Sequence, residues 1–300
     1  MKLPAKGVGR RAFRLPAPLV LLAPFVGLFV LFYVVPIIWA LRMSMYADRL
    51  IGGETFVGLD SYSRALHDPS IRTGLAHVGF LGFVQVPLTL LAALILALVL
   101  DGRALRARGL FRVGIFLPFA VPTVVAGLMW GFMYDDRLGP FGRIGDAIGV
   151  DTPNFLARAW ALPAIGNIVL WGTTGVGMVI IYTALKAIPT DVLEAAALDG
   201  RRPWQIVREI KVPLVRPVLL LLLLLVAIAM LQLFNEPYIL NQLAPDAVSR
   251  DFAPNLYAYT LAFNGNEISY GAAISLVLAA MVMIASGIAL VAARLRDEPR

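Results

Sequence analysis

The polar segment with the clearest pattern runs from Ile188 to Pro213, between two long apolar stretches. Thr190 is a residue type that caps helix starts, which predicts a helix beginning there. Gly200 is the expected left-handed residue at the end of this helix, and Pro203 suits the first position of a second short helix. The segment therefore predicts a helix-turn-helix, and Pro213 is expected to end its second helix before the next apolar stretch.

The first of these two helices is built from small and charged residues. Connections between helices commonly take about two to eight residues, so a longer insertion is not needed to reverse direction. Successive alanines leave a slim surface that another protein can approach closely. Two interpretations stay open from the residues alone: a docking site for a cytoplasmic partner, or an amphipathic helix lying at a membrane interface. The residues of the docking interpretation are Glu194, Ala195, Ala196, Asp199, Gly200 and Arg201.

Several other kinds of chemistry are excluded by the sequence. It has no cysteine, which excludes disulfides and thiolate metal sites. A phosphate-binding P-loop needs a Gly-Lys pair after a glycine-rich turn, and none of the four lysines follows a glycine. His67 and His77 have no second ligand at metal-binding spacing, and we find no catalytic set within the apolar stretches. Any ATP-driven step would therefore need an ATPase in another chain.

Composition places these residues in a membrane protein. Of the 300 residues 59% are hydrophobic and 15% are charged, whereas a soluble chain carries about a quarter charged residues. Six charge-free windows are each long enough to cross a bilayer, which takes about 20 apolar residues in a helix. The sequence therefore predicts an all-α integral membrane protein of six transmembrane helices. The windows are 15–41, 73–100, 113–134, 159–185, 217–235 and 268–293.

The distribution of positive charge predicts the orientation. Eighteen of the 26 Lys and Arg residues fall in the two tails and in the loops after the second and fourth windows. Both termini should therefore be cytoplasmic. The net charge of +7 is spread over separate loops, which argues against nucleic acid as a partner. The predicted organisation is a basic cytoplasmic tail (1–14), a first helix with an external loop (15–72), a core of five helices (73–293) containing the loop 186–213, and a cytoplasmic tail (294–300).

Short motifs in the loop and the spans resemble one known family. Glu194-Ala195-Ala196, Asp199-Gly200 and Val212-Pro213-Leu214 are similar to the EAA loop of binding-protein-dependent ABC importer permeases. The resemblance covers about residues 20–292, and it looks closest to the first permease of maltose-, lactose- or glycerol-3-phosphate-type systems. Ala76-His77 departs from the Gly-Asn pair of many relatives. Further motifs similar to the sugar-type branch are 56–62 (FVGLDSY), 109–112 (GLFR), 117–118 (LP), 121–122 (VP), 186–189 (KAIP) and 234–240 (FNEPYIL).

This resemblance implies a type I ABC importer fold and a division of labour among several chains. The present chain would be a permease subunit in a bacterial plasma (inner) membrane, without an ATPase site or cofactor of its own. Its partners would be a second homologous permease, membrane lipids, an extracytoplasmic solute-binding protein, and a dimeric ATPase that binds ATP and Mg. The loop would dock in a cleft of that ATPase, and the docking residues named above would carry the coupling.

If the solute is sugar-like, we expect it to be bound by polar and aromatic side chains in a largely apolar site. Polar groups inside a membrane are costly and are therefore functional hypotheses by default. As alternatives, Asn167 or Thr173 bonds a neighbouring helix, and Glu236 is solvated. An ion-coupled transporter would need buried charges that the spans do not firmly offer, and an assembly factor would not explain these polar groups. The candidate solute-binding residues are Asn167, Trp171, Thr173, Thr174, Tyr182, Gln232, Asn235, Glu236 and Tyr238.

Overall fold

The computed structural model describes residues 17–49, 53–102 and 107–297, and this part of the chain is mostly helical. The predicted tail 1–14 and residues 298–300 of the predicted tail 294–300 lie outside the described residues. The strands β1 (Tyr46–Arg49) and β2 (Gly53–Phe56) form a small antiparallel hairpin with Tyr46 opposite Phe56. The helices are α1 (Ala17–Phe29), α2 (Val35–Met43), α3 (Asp60–His67), α4 (Pro69–Asp101), α5 (Arg108–Phe116), α6 (Thr123–Tyr134), α7 (Pro140–Ile148), α8 (Ala161–Lys186), α9 (Thr190–Leu198), α10 (Pro203–Ile206), α11 (Val212–Leu231), α12 (Asn235–Leu243), α13 (Pro254–Phe263) and α14 (Ile268–Asp297).

Within the described ranges, five helical stretches are long and apolar enough to cross a membrane. A sixth candidate consists of two pieces that meet at an angle of 97°. The multi-span architecture is confirmed, and the third span is sharply bent within a window that contains Pro118 and Pro122. The five stretches are Leu21–Met43, Pro69–Asp101, Arg158–Lys186, Pro203–Leu243 and Ile268–Ile288, and the bent pair is Arg108–Ala120 with Thr123–Tyr134.

The break in the third span lies where two prolines occur four residues apart. Pro118 falls in a 3₁₀ turn (Leu117–Ala120), and Val121 has an extended backbone with ψ of 125°. The proline ring disfavours the helical region for the residue before it, and Val121 adopts the extended conformation that this favours before Pro122. The chain then restarts as α6 at Thr123 in a new direction.

Two π turns each lie just before a proline. The π turn Val30–Val34 comes two residues before Pro36, and the π turn Val207–Lys211 comes two residues before Pro213. A proline inside a helix has no N–H to donate and crowds the carbonyl four residues earlier. Widening the preceding turn removes that conflict, so both helices continue past their prolines instead of ending.

Helices α4 and α8 pack against each other along most of their length. Small residues on α8 permit this closeness. A Cβ added to Gly177 would lie 3.2 Å from the Cβ of Ala93 on α4, and one added to Gly175 would lie 2.2 Å from the carbonyl oxygen of Ile115. Gly175 and Gly177 therefore serve close helix packing, as small residues commonly do in membranes.

Candidate functional site

The segment between α8 and α11 forms the predicted helix-turn-helix. Helix α9 ends as expected at Gly200, whose φ is +76°. The amide of Gly200 donates to the carbonyl of Ala197 (3.1 Å), and the amide of Arg201 donates to the carbonyl of Ala196 (3.2 Å). This pair of bonds is a Schellman motif, which satisfies carbonyls at the helix end that would otherwise lack a partner.

The first helix begins at Thr190 as predicted, but the predicted cap and the predicted end of the second helix are wrong. Thr190 is the first helical residue instead of the cap, and the cap position is held by Pro189 without a side-chain bond. Pro189 has a φ of −57° and an extended ψ of 135°, which already gives the chain the backbone of a helix cap. Pro213 does not end the second helix either, because the π turn before it lets α10 run on into α11.

Five of the six candidate docking residues are exposed. Glu194, Ala195, Asp199, Gly200 and Arg201 face outwards, whereas Ala196 has only 5% of its surface exposed. The Arg201 guanidinium forms an ion pair with Glu209, which ties the turn to the second half of the loop. Ala196 therefore seats α9 against the rest of the protein, and the docking surface is formed by its neighbours.

One residue on this surface escaped the sequence reasoning. Leu198 is 89% exposed, the most exposed large apolar side chain on α9. It lies four residues after Glu194, so the two side chains share one face of the helix. An isolated exposed leucine is ordinary, but here it is part of a smooth strip with exposed alanines. Only the orientation of α9 about its own axis, which the structure gives, shows that Leu198 points outwards while Leu193 packs inwards.

The base of the loop is held by three charged residues that are distant in sequence. Asp101, the last residue of α4, lies 2.8 Å from the Nζ of Lys186 and 2.5 Å from the Nζ of Lys211. Lys186 ends α8 and Lys211 ends the π turn that leads into α11, so one carboxylate contacts both ends of the loop. In the sequence, Asp101 and Lys186 border apolar windows and Lys211 lies within the loop, so their meeting is a tertiary feature.

Asn167 and the two threonines of α8 have protein partners. The Asn167 amide donates to the Tyr134 hydroxyl (2.8 Å), which in turn donates to the Ala164 carbonyl (3.1 Å). Thr173 and Thr174 donate to the carbonyls four residues earlier in their own helix, at 2.7 and 2.6 Å. These bonds match the alternative in which Asn167 joins neighbouring helices, here α6 and α8, while Thr173 bonds within its own helix.

The aromatic candidates fall into separate groups. The Trp171 ring meets the edge of Trp130, with centroids 5.9 Å apart. Tyr238 stacks on Phe234 and meets Tyr259 edge-on, each at a centroid distance of 5.4 Å. Both groups pack against the same apolar core.

Tyr182 lies apart from these aromatic groups. It is eleven residues after Trp171 on α8, which corresponds to roughly 16 Å along the helix axis. Its ring has the cations of Arg112 and Lys186 at 5.9 and 5.5 Å from its centroid, so it belongs to the loop end of the bundle. Gln232 is exposed, while Asn235 and Glu236 are partly exposed, and all three lie where α11 gives way to α12.

A polar network also lies at the opposite end of α4 from the loop. The hydroxyls of Tyr257 and Tyr270 donate to the Asp68 carboxylate at 3.0 and 2.8 Å, and the Ser70 amide donates to it at 2.9 Å. Burial raises the pKa of Asp68, but these hydrogen bonds and the charge of Arg64 outweigh burial and hold the pKa below its ordinary value. The network fastens the start of α4 to α13 and α14.

The two histidines are also occupied by structural contacts. His67 Nδ1 lies 2.8 Å from the carbonyl of Ser63, and His77 Nδ1 lies 3.0 Å from the carbonyl of Phe252. In the described part of the chain, no three His, Cys, Asp or Glu residues gather in a geometry that could hold a metal ion.

The fold is that of a membrane-embedded subunit of an ABC importer. The structure matches a chain of a bacterial ABC transporter involved in the import of the acidic polysaccharide alginate, with a TM-score of 0.82. The match covers 93% of this chain and 95% of that one, at 19% sequence identity. A chain of the MetNI methionine ABC transporter matches with a TM-score of 0.54 over 75% of this chain and 95% of that one, at 16% identity.

Sequence comparison identifies the family. Residues 87–296 match the family described as binding-protein-dependent transport system inner membrane component, and the chain belongs to this family. A probable ABC transporter permease of Pyrococcus horikoshii is 32% identical, over 92% of this chain and 94% of the relative. The lactose transport system permease LacF of Rhizobium radiobacter is also 32% identical (91% and 93% coverage). The trehalose/maltose transport system permease MalF of Thermococcus litoralis is 29% identical (88% of each chain). The resemblance carried by the EAA loop is thereby confirmed.

Proposed function

We propose that this chain is the permease subunit of an ABC importer, that it forms half of the pathway for a sugar or sugar-like solute, and that it couples to a separate ATPase through its loop 190–212. The observation that carries this proposal is the exposed helix-turn-helix between α8 and α11 in a chain of this family. We place the chain in a bacterial plasma (inner) membrane with six spans and both termini in the cytoplasm, because the positive charge concentrates on that side.

The docking face that we propose consists of Glu194, Ala195 and Leu198 on α9, with Asp199 and Gly200 at its end. All five residues are exposed, and none of the apolar core clusters includes them. Small side chains let the backbone of α9 come close to a partner, and Leu198 offers an apolar anchor for a pocket. Ala196 and Arg201 hold this face in place, the first by packing and the second through Glu209.

The partners follow from the division of labour in such importers. We propose a second homologous permease, a dimeric ABC ATPase that binds ATP and Mg, and an extracytoplasmic solute-binding protein, with membrane lipids around the permease pair. The family description itself names dependence on a binding protein. The present chain would hold neither an ATPase site nor a cofactor, and nucleic acid would have no role.

We also retain the predicted organisation of tails 1–14 and 294–300, a first helix with its external loop (15–72), and a core (73–293).

A sugar-like solute is supported by relatives named for lactose and for trehalose/maltose transport. The aromatic faces of Trp171 and Tyr238 and the polar groups of Gln232, Asn235 and Glu236 suit such a solute, because sugars bind through aromatic faces and hydrogen bonds. Asn167, Thr173 and Thr174 would contribute indirectly, since their bonds shape the helices that line the path. Tyr182 would contribute at the loop end of the bundle, apart from the other candidate residues.

Co-purification of the ATPase with the permease tests the docking function. An Ala195→Phe substitution places a large ring on the exposed face of α9, and we expect it to remove the ATPase from the purified complex. The matched control is Ala147→Phe, which adds the same ring to an exposed alanine of α7. Equal recovery of the ATPase with both variants, together with normal uptake, would refute docking by this face. A thermal-shift screen of sugars on the cognate solute-binding protein would identify the solute class.

A further inference from the structure

We propose that Asp101 is a positioning residue that clamps both ends of the loop between α8 and α11 (residues 187–210, here called the coupling loop) to helix α4. The loop would then move as one rigid body with the membrane helices. This inference rests on the proposed docking function and assigns the residue that transmits the motion. The Asp101 carboxylate makes two ion pairs, one with Lys186 before the loop and one with Lys211 after it. Three helices are thus joined at one point.

The burial of the three side chains distinguishes this clamp from an ordinary surface ion pair. The Asp101 side chain is 8% exposed and the Lys211 side chain is 16% exposed, whereas Lys186 is 47% exposed. Exposed pairs contribute little because water competes for both charges. A largely buried carboxylate between two ammonium groups has little access to water, so removing Asp101 would leave two ammonium groups without their common partner.

The apolar layer beneath the clamp supports a rigid joint. Leu100, Leu185, Ile188 and Val215 lie within four residues of the clamp's charged members and are all buried in one cluster. This cluster also includes Leu193, the inward-facing residue of α9. The loop helix, the two lysine-bearing ends and the end of α4 therefore share one packed layer, so they are expected to shift together.

Lys211 lies at the end of the π turn that leads into α11. This turn spans Val207 to Lys211 and comes just before Pro213. The helix continues through Pro213 into α11, and the Nζ of Lys211 at the start of this run contacts Asp101.

The experiment uses the assembled transporter, with both permeases and the ATPase dimer, in proteoliposomes. For Asp101→Ala we expect the ATPase to co-purify at the wild-type level, while the amount of solute taken up per ATP hydrolysed falls at least about fivefold, the lower end of typical coupling between sites. Lys211→Met keeps the aliphatic stem and should reproduce most of this loss. Lys186→Met should cost less, because the Lys186 side chain is more exposed. Asp101→Glu should restore part of the coupling.

A distance measurement separates motion transfer from a merely structural role. The chain has no cysteine, so single cysteines at the exposed positions Ala197 and Val99 accept spin labels selectively when the partner subunits are also cysteine-free. We expect the distribution of distances between loop and α4 to broaden in Asp101→Ala and in Lys211→Met. The control is Glu267→Gln, which breaks the exposed Arg64–Glu267 pair and should change neither readout.

Two outcomes would overturn the clamp. One is wild-type uptake per ATP with an unchanged distance distribution in Asp101→Ala. The other is loss of the ATPase from this variant, because Asp101 would then serve docking instead of the transfer of motion. Failure of the docking function itself is distinguished by Ala195→Phe, which lies on the outward face and leaves the three charged residues intact.

Discussion

Replacing Gly200 with valine should weaken the hold of the ATPase on this permease through backbone strain alone. A Cβ added to Gly200 meets no atom within 4 Å, so no collision contributes. The residue has a φ of +76°, however, and an L-residue in the left-handed region costs about 1–2 kcal/mol. Valine is β-branched and lies at the upper end of that range.

This strain falls on the two hydrogen bonds of the Schellman motif. Valine can keep them by accepting the strain, or it can relax and release the carbonyls of Ala196 and Ala197. The strain shifts the equilibrium between these two states towards the relaxed one by the same free energy, so fewer permease molecules have α9 ending in the docking conformation. A cost of about 1–2 kcal/mol corresponds to roughly a 5- to 30-fold weaker apparent affinity for the ATPase.

Titration of the purified ATPase onto permease in nanodiscs measures this affinity. Gly200→Asn is the matched control, because asparagine adds a side chain of similar size and yet tolerates the left-handed conformation. We expect Gly200→Asn to bind within about threefold of wild type. If valine and asparagine weakened binding equally, side-chain bulk at the interface would be responsible and the strain argument would be refuted.

Three further predictions concern stability, measured as the thermal unfolding midpoint in detergent. Gly175→Ala should destabilise the protein by about 1–3 kcal/mol, because the new Cβ would collide with the Ile115 carbonyl, whereas Gly172→Ala, with open space around its Cβ, should leave stability unchanged or raise it. Tyr134→Phe should cost about 1–2 kcal/mol because the Asn167 amide loses its acceptor; an unchanged midpoint would show that Asn167 finds another partner. Asp68→Asn should destabilise the protein at neutral pH. Because hydrogen bonds hold the pKa of Asp68 below its ordinary 3.8, the stability difference between wild type and variant should persist above that pH and disappear as the pH falls through the lowered pKa. A stability difference that does not change with pH would contradict this titration.

The features that followed from the sequence are those set by local chemistry. The apolar windows depend on composition, and the left-handed glycine at 200 depends on one residue's conformational freedom. In the described residues, five long apolar helices and one bent pair correspond to the windows, and Gly200 has a positive φ. The errors came from prolines. Pro189 supplies the cap assigned to Thr190, and Pro213 is absorbed by a π turn instead of ending a helix. A proline's effect depends on whether neighbouring turns can widen, which the sequence alone does not specify.

For the polar residues, the sequence also does not specify which partners they contact. Asn167 and Thr173 stand out in the sequence because polar groups in a membrane need partners, but only the structure shows that those partners are Tyr134 and the backbone of α8. Asp101 was inconspicuous because a charge at the end of an apolar window is ordinary. Its contacts lie 85 and 110 residues away in sequence, and no local pattern signals them.

The loop needs a stiff base because of its length. If residues 187–210 were a flexible chain, the distance between the loop ends would spread over roughly 25–30 Å, and an ATPase movement of a few ångströms would be lost in that spread. The structure removes this freedom in three places: the Schellman turn at Gly200, the Arg201–Glu209 ion pair, and the Asp101 clamp. The docking face between these restraints stays exposed. A rigid support beneath an exposed face can transmit force from a partner. An amphipathic helix lying on lipid would instead turn its apolar residues to the membrane, and it would not require a clamp at its base.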